Sequence, residues 1–277
     1  MPAGLDLDAY LARIGYAGPR SASLDTLVAV HALHPQAIAF ESLDPWSGLA
    51  VALDIPSLEA KLVAGGRGGY CYEHNTLFWA ALEALGFKLR GLSARVLYST
   101  PPGGGRHPRN HMLMMVETPH GPDIADVGFG GLTLTAPVRL EADVIQQTPH
   151  ERVRLTRTGT DWVLEAETLT KAGATWRQMY QFGLEEHIAP DYEVANFYMS
   201  THPRSPFVAR LIAARPFPGG RLALADTALS IHHTGGETVK RVIADAVELA
   251  GVLAEDFGIA LPRDAAFAGK VAGLFDV

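Results

Sequence analysis

A segregated α+β fold is predicted for this chain from the order of its apolar patterns. Helical spacing runs to about residue 88, strand-like alternation fills the middle, and a shorter mixed pattern closes the chain. Alternating strands and helices would have indicated a doubly wound sheet, and that order is absent.

Leu7, Leu11 and Ile14 recur at helical spacing, and Leu24, Leu27, Val28 and His31 do so after Ser23, with Pro35 expected to stop that second helix. A third helix is expected after Ser57 as its cap, ending at Gly65 and Gly66. From Cys71 a fourth carries the stripe Leu77, Phe78, Ala81, Leu82 and Leu85, and Gly86 ends it. After Phe87 the period drops to two: Leu92, Ala94, Val96 and Tyr98 alternate as in a half-buried strand. The segment Pro101 to Gly105 reads as a loop, Met112 to Val116 as a strand, and Pro119 to Pro122 as a turn into a strand at Ile124 to Val127. Further strands are expected at Val153 to Leu155, Trp162 to Leu164, Arg221 to Ala225 and Leu229 to His232. Val239, Val242, Ile243, Ala246, Leu249, Leu253 and Phe257 are read as a closing helix. No internal repeat or low-complexity tract is present.

With 277 residues and 48% hydrophobic content the chain can bury a large core without covalent staples. Its single cysteine excludes an intramolecular disulfide. No basic, then apolar leader opens it, and no run approaches the roughly 18 apolar residues that span a bilayer, so a cytoplasmic protein without a membrane partner is expected. A net charge of -7 argues against a nucleic-acid footprint. An anionic ligand would need a few local arginines or backbone N–H groups.

The densest chemical signal is Arg67-Gly68-Gly69-Tyr70-Cys71-Tyr72-Glu73-His74-Asn75. It delivers a cysteine to the expected first turn of a helix, where N–H groups and the helix dipole favour a thiolate. A buried structural cysteine is the plain alternative. The glycine pair weighs against it, because positive φ or close approach of a ligand calls for glycine and simple packing does not. A cysteine nucleophile needs a base and a group to orient that base. His111 opens an apolar strand, and Asp126 is a charge inside the apolar Ile124 to Val127 stretch. They lie 15 residues apart across a Pro/Gly turn, so a hairpin brings them to neighbouring strands. Direct apposition needs a turn centred near Thr118 and Pro119; a diagonal pair also serves. His74 is the competing base, but its place on the cysteine's own helix suits a structural role, and His107 is a weaker rival in a loop. No His, Asp or Glu spacing marks a metal site.

These residues resemble the arylamine N-acetyltransferase family. Arg67-Gly68-Gly69-x-Cys71 resembles its nucleophile motif, and Asp126-Val127-Gly128-Phe129-Gly130 resembles its Asp-x-Gly-Phe-Gly segment. Phe40-Glu41-Ser42-Leu43 is similar to Phe-Glu-Asn-Leu, with serine where asparagine is common, and the run from Ser200-Thr201-His202-Pro203 to Ser205 and Phe207 matches a further signature. The blocks fall in the expected order between residues 40 and 207.

The resemblance implies three parts: a helical bundle over 1–88 carrying the nucleophile, a β-barrel over 89–198 carrying histidine and aspartate, and an α/β lid over 199–277. It implies a catalytic Cys71, His111 and Asp126 triad and a ping-pong transfer of acetyl from acetyl-CoA to an arylamine or arylhydrazine. Acetyl-CoA is then a substrate, and no cofactor is held tightly. Gly128, Phe129, Gly130 and Gly131 are the expected CoA-binding turn, although a tight turn after a strand explains the glycines equally. Arg106 and Arg109 are candidate phosphate contacts, Phe40 and Phe129 candidate walls for the aromatic amine, and Arg67 with Glu41 a candidate buried ion pair. Two other activities use the same triad: macrolactam-forming amide synthesis and hydrolysis by a cysteine peptidase.

Overall fold

The computed structural model describes residues 4–98, 107–170 and 173–276. The expected loop at residues 101–105, and Arg106, lie outside them.

The N-terminal layer contains α1 (Leu7–Arg13), α2 (Leu24–Ala37), the short strand β1 (Phe40–Glu41), α3 (Leu43–Trp46), α4 (Ile55–Leu58) continued by a π-helical turn (Glu59–Ala64), and α5 (Cys71–Ala84). Pro35 does not stop α2, which runs two residues further; a proline so near the helix end costs one backbone bond, and Ile38 N–H still closes on His34 O at 2.9 Å. The cap of α4 is Asp54, not Ser57: its Oδ1 accepts the Ser57 N–H at 3.0 Å, with Pro56 in the first turn.

Strands follow as β2 (Leu89–Val96), β3 (His111–Thr118), β4 (Gly121–Ala125), β5 (Val138–Arg139), β6 (Ile145–Gln147), β7 (Arg152–Thr158), β8 (Asp161–Thr170) and β9 (Gly173–Phe182). They form one antiparallel sheet in the order β5-β4-β3-β2-β9-β8-β7-β6, curled into a nearly closed barrel. Its two edges meet through a side chain: Gln146 accepts the Arg139 N–H at 2.8 Å and donates to Arg139 O at 2.9 Å. Parity along β3 divides two cores. Leu113 packs inside the barrel, whereas Met114 and Val116 join Leu27, Phe78 and Leu82 beneath the helices.

The helix α6 (Ala189–Thr201) has no counterpart in the sequence reading, and the expected boundary at 198 falls within it. Its buried positions, Tyr192, Asn196, Met199 and Ser200, are half polar, while Val194 and Phe197 face outward, so no apolar stripe announces it. After α7 (Pro206–Ala209) come β10 (Ile212–Phe217), β11 (Gly220–Ala225), β12 (Ala228–His233) and β13 (Thr238–Val242), then α8 (Ala246–Gly251), a π-helical turn (Val252–Asp256) and α9 (Ala265–Ala272). Val239 and Val242 therefore do not begin the closing helix. They sit on an exposed edge strand paired with β12, and Asp245 caps the helix that follows. This second sheet is β1-β10-β11-β12-β13, so Phe40 and Glu41 from the first segment pair with Ala214 and Ala213 near the end.

Candidate active site

The first turn of α5 carries Cys71, buried at 3% exposure, with its Sγ 4.0 Å from Asn110 O. Glu73 fixes that turn by accepting the Tyr70 N–H at 3.0 Å. Neither Gly68 nor Gly69 has positive φ. A Cβ on Gly68 would stand 2.0 Å from Ala39 O, and one on Gly69 2.6 Å from Glu73 Oε2. The close approach that calls for glycine is thus by the protein's own atoms, the Ala39 backbone at Gly68 and the Glu73 side chain at Gly69, where the sequence allowed a ligand; Glu41 N–H donates to Gly69 O at 2.7 Å. Arg67 bonds Glu41 at 2.8 Å and Asp44 at 2.7 Å, and Lys61 bonds Asp44 and Glu73 at 2.6 Å each. The expected Arg67–Glu41 pair is one link of this four-bridge network, which clamps the loop before Cys71.

His111 opens β3 on the barrel-interior face, and its Nε2 lies 2.7 Å from Asp126 Oδ2. The hairpin register pairs Thr118 with Gly121 and Met114 with Ala125, so Asp126 lies just beyond the end of β4 and diagonal to His111. That bond leaves Nδ1 as the free ring nitrogen, and Cys71 is among the groups that favour charge on the imidazole. Burial opposes charge on His111, but the Asp126 carboxylate and the hydrogen bonds outweigh it and raise its pKa. Burial likewise opposes charge on Asp126, yet His111, Asn75 and the Gly128 N–H hold its carboxyl below the usual range. Both shifts favour an imidazolium facing a carboxylate.

The four residues expected to hold CoA differ among themselves. A Cβ on Gly128 would meet Cys71 Cα and Cys71 O at 3.0 Å, so this glycine lets the Asp126 loop lie on the turn that carries Cys71. Gly130 has φ +89°, and a Cβ there would stand 3.4 Å from the Phe40 ring. Gly131 alone adjoins open space, with no heavy atom within 4 Å of a Cβ there. Phe129, half-buried, stands edge-on to His111 with centroids 5.2 Å apart. Phe40 is buried between His74 and Phe207, at 6.2 and 5.8 Å.

The fold is shared with solved proteins of one kind. A family model described as N-acetyltransferase matches residues 23–266. The arylamine N-acetyltransferase of Escherichia coli (strain K12) is 41% identical over 254 residues, 91% of this chain and 88% of its own length. The chain belongs to the arylamine N-acetyltransferase family. The structure of the M. smegmatis arylamine N-acetyl transferase superposes with a TM-score of 0.92 at 39% identity, over 99% of this chain and 100% of the other. That of the Mycobacterium marinum arylamine N-acetyltransferase in complex with CoA does so with a TM-score of 0.89 at 38% identity, over 98% of each. This arylamine N-acetyltransferase family member is an acyltransferase.

Within this acyltransferase Arg109 is already engaged, at 2.9 Å from Glu185 and 3.1 Å from His187 Nε2, which weakens its case as a phosphate contact. His74 belongs to a buried chain of hydrogen bonds. Its Nε2–H donates to Ala39 O at 3.1 Å and its Nδ1 accepts from His34 at 2.9 Å, while Tyr10 donates to His34 Nδ1 at 2.8 Å. Burial holds the His74 pKa down to about 4. Two supporting residues escaped the sequence reading. His31 Nε2 accepts the Asp126 N–H at 3.2 Å, a contact 95 residues long in sequence that no local pattern reveals. Asn75 joins Met112 O, Asp126 Oδ1 and the Val127 N–H at 2.8, 2.9 and 3.1 Å. Its position four residues after Cys71, on the same helix face, was the available signal.

Proposed function

We propose that Cys71, His111 and Asp126 form a catalytic triad that transfers acetyl from acetyl-CoA to an arylamine or arylhydrazine by a ping-pong route. The observation that carries this reading is the 2.7 Å His111–Asp126 bond beside a thiol in the first turn of a helix. The Cys71 proton passes to His111 Nδ1, and the sulfur attacks the acetyl carbonyl. The tetrahedral oxyanion collapses, the bond to the CoA sulfur breaks, and the imidazolium returns the proton to the departing thiolate. An amine then attacks the acetyl-Cys71 thioester, its proton goes to His111, and the Cys71 sulfur leaves. Backbone N–H groups at the start of α5 are the proposed oxyanion donors.

CoA is assigned to the Gly128 to Gly131 turn, chiefly through Phe129 and the open side of Gly131. The aromatic acceptor is assigned to the space beside Phe129 and Phe40. We retain the three-part division of the chain with α6 as the link between barrel and lid. No helix among the described residues is long and apolar enough to cross a membrane, and a cytoplasmic enzyme fits the one free cysteine. Mass spectrometry of the intact protein after acetyl-CoA alone tests the mechanism. One added acetyl group, mapped to Cys71 and discharged by an aromatic amine, is expected. No adduct, or one lost to water as fast as to amine, would return the macrolactam-forming or hydrolytic alternatives.

A further inference from the structure

A cavity of about 970 Å³ lies between α6 and the α4–α5 corner. Cys71, His111, Asp126 and Phe129 are not in its wall. Met112 is, and the parity of β3 explains the separation: His111 faces the barrel side of the strand and Met112 the other. Val51, Trp79, Met112 and Tyr192 supply an apolar and aromatic lining, and Phe197 and Ile188 at its edge are 68% and 58% exposed. Such a volume falls within the roughly 300–1,000 Å³ typical of small-molecule sites.

The charges around it have one sign. Asp54, Glu186 and Glu193 line the cavity, and none of them is in an ion pair among the described residues. The titratable neighbour His187 turns to Arg109 at 3.1 Å, and that arginine is bonded to Glu185. Burial first, then the Asp191 and Glu186 charges, raises the Tyr192 phenol above its ordinary range.

We propose that this cavity is a second small-molecule site, for a lipophilic organic cation whose apolar body packs among Val51, Trp79, Met112 and Tyr192 and whose charge meets Glu186 and Glu193. Ring faces and carboxylates both attract a quaternary or protonated amine. The phosphates of CoA would be repelled there. A reacting arylamine, neutral near pH 7, gains nothing from the carboxylates, and the Cys71 thiol is not in the wall. The site therefore stands independently of the acetyl-transfer reading.

Benzyltrimethylammonium is the probe, because it has no N–H to acetylate. It is titrated into the full-length protein by calorimetry and tryptophan fluorescence, before and after alkylation of Cys71. Neopentylbenzene, the neutral isostere, is the control. Saturable one-to-one binding is expected, indifferent to alkylation, with the cation at least about fivefold tighter than its isostere. The double variant Glu186→Gln, Glu193→Gln should erase that preference while leaving the isostere unchanged. Ala50→Trp, a substitution at an exposed position of the wall, should remove both ligands. Absence of saturable binding, a smaller preference, or binding that survives Ala50→Trp overturns the proposal.

Discussion

Asn75 Nδ2 donates to Asp126 Oδ1 at 2.9 Å from one helical turn beyond Cys71, so the helix that carries Cys71 itself holds the carboxylate that faces His111. The same amide reaches Met112 O on β3 and accepts from Val127 on the far side of Asp126. Three elements thereby share one fully buried side chain.

Replacing it by alanine strands these partners, at a stability cost of about 1–3 kcal/mol. A positioning role demands more than that. Asn75→Ala should lower kcat well beyond the unfolded fraction, leave KM for the amine nearly constant, and shift the acid limb of the pH–rate profile upward, because Asp126 loses a bond that holds its pKa down. Thermal melts and pH–rate profiles on one preparation check this. An activity loss that only tracks unfolding would reduce Asn75 to a packing role.

Cys71→Ser should abolish acetyl transfer without unfolding the protein, since a serine hydroxyl is barely ionised where a thiol can react. Intact-mass spectra should then show no acetyl adduct, with circular dichroism unchanged. Turnover above a few per cent of wild type would remove Cys71 from the role of nucleophile.

Two glycines of the Asp126 loop should separate fold from donor binding. Gly128→Ala places a methyl 3.0 Å from Cys71 Cα and O, so it should depress turnover equally with acetyl-CoA and with a small acetyl thioester. Gly131→Val projects into open space and should raise KM for acetyl-CoA selectively. Gly130 is a poor probe, because its φ of +89° strains any side chain. Equal effects of Gly131→Val on both donors would take this turn out of CoA binding.

Buried histidines should make the fold acid-sensitive. His31 and His74 are held down to about 4 by burial, and His34 is lowered in the same way. The unfolded chain, with histidines near 6.5, binds more protons below that value, so stability falls as pH drops from about 6.5 toward 4. Glu73 acts in the opposite sense. Burial raises it to about 7, so the folded state keeps its proton and stability falls as pH rises from about 4.3 to 7. Three histidines outweigh one glutamate, and Tm should be lower at pH 5 than at pH 7. His34→Gln, which can still bond Tyr10 and His74, should flatten that slope; a Tm constant from pH 7 to 5 would contradict the assignment of these histidines as neutral.

Much of this layout was legible where one residue pattern admits one structure. Leu77, Phe78, Ala81 and Leu82 can bury together only on a helix, and the alternation of β2 and the turn before Ile124 placed His111 and Asp126 on adjacent strands. Failures came where two structures share a pattern. Val239 and Val242 stand three apart, as on a helix face, yet they belong to an exposed edge strand whose pairing with β12 is set by tertiary contacts. The glycines before Cys71 drew attention for the right residue and a different cause, since Gly68 admits the Ala39 backbone, distant in sequence, and Gly69 the Glu73 side chain. Lys61, Asp44 and His31 act through contacts that only the folded chain creates.

Asp126→Asn should inactivate the enzyme far more than loss of a surface charge, by on the order of 10³-fold or more in kcat/KM. Burial alone would push His111 toward neutrality, and the Asp126 charge with its 2.7 Å bond reverses that tendency. Asparagine keeps the shape but supplies no charge, and presenting its NH₂ to His111 Nε2 would leave the proton on Nδ1, the nitrogen that must receive one from Cys71. Proton transfer from thiol to imidazole is then disfavoured twice, by the lost charge and by the wrong tautomer. Iodoacetamide reports the thiolate directly, with no acetyl donor involved. Its rate of reaction with Cys71 at pH 6 should fall about tenfold or more in Asp126→Asn, equivalent to about 1.4 kcal/mol, and the loss should shrink as pH approaches 9 and hydroxide replaces the base. An alkylation rate that matches wild type across this range would mean that Asp126 does not set the protonation of His111, and the orienting role would pass to another neighbour of the imidazole.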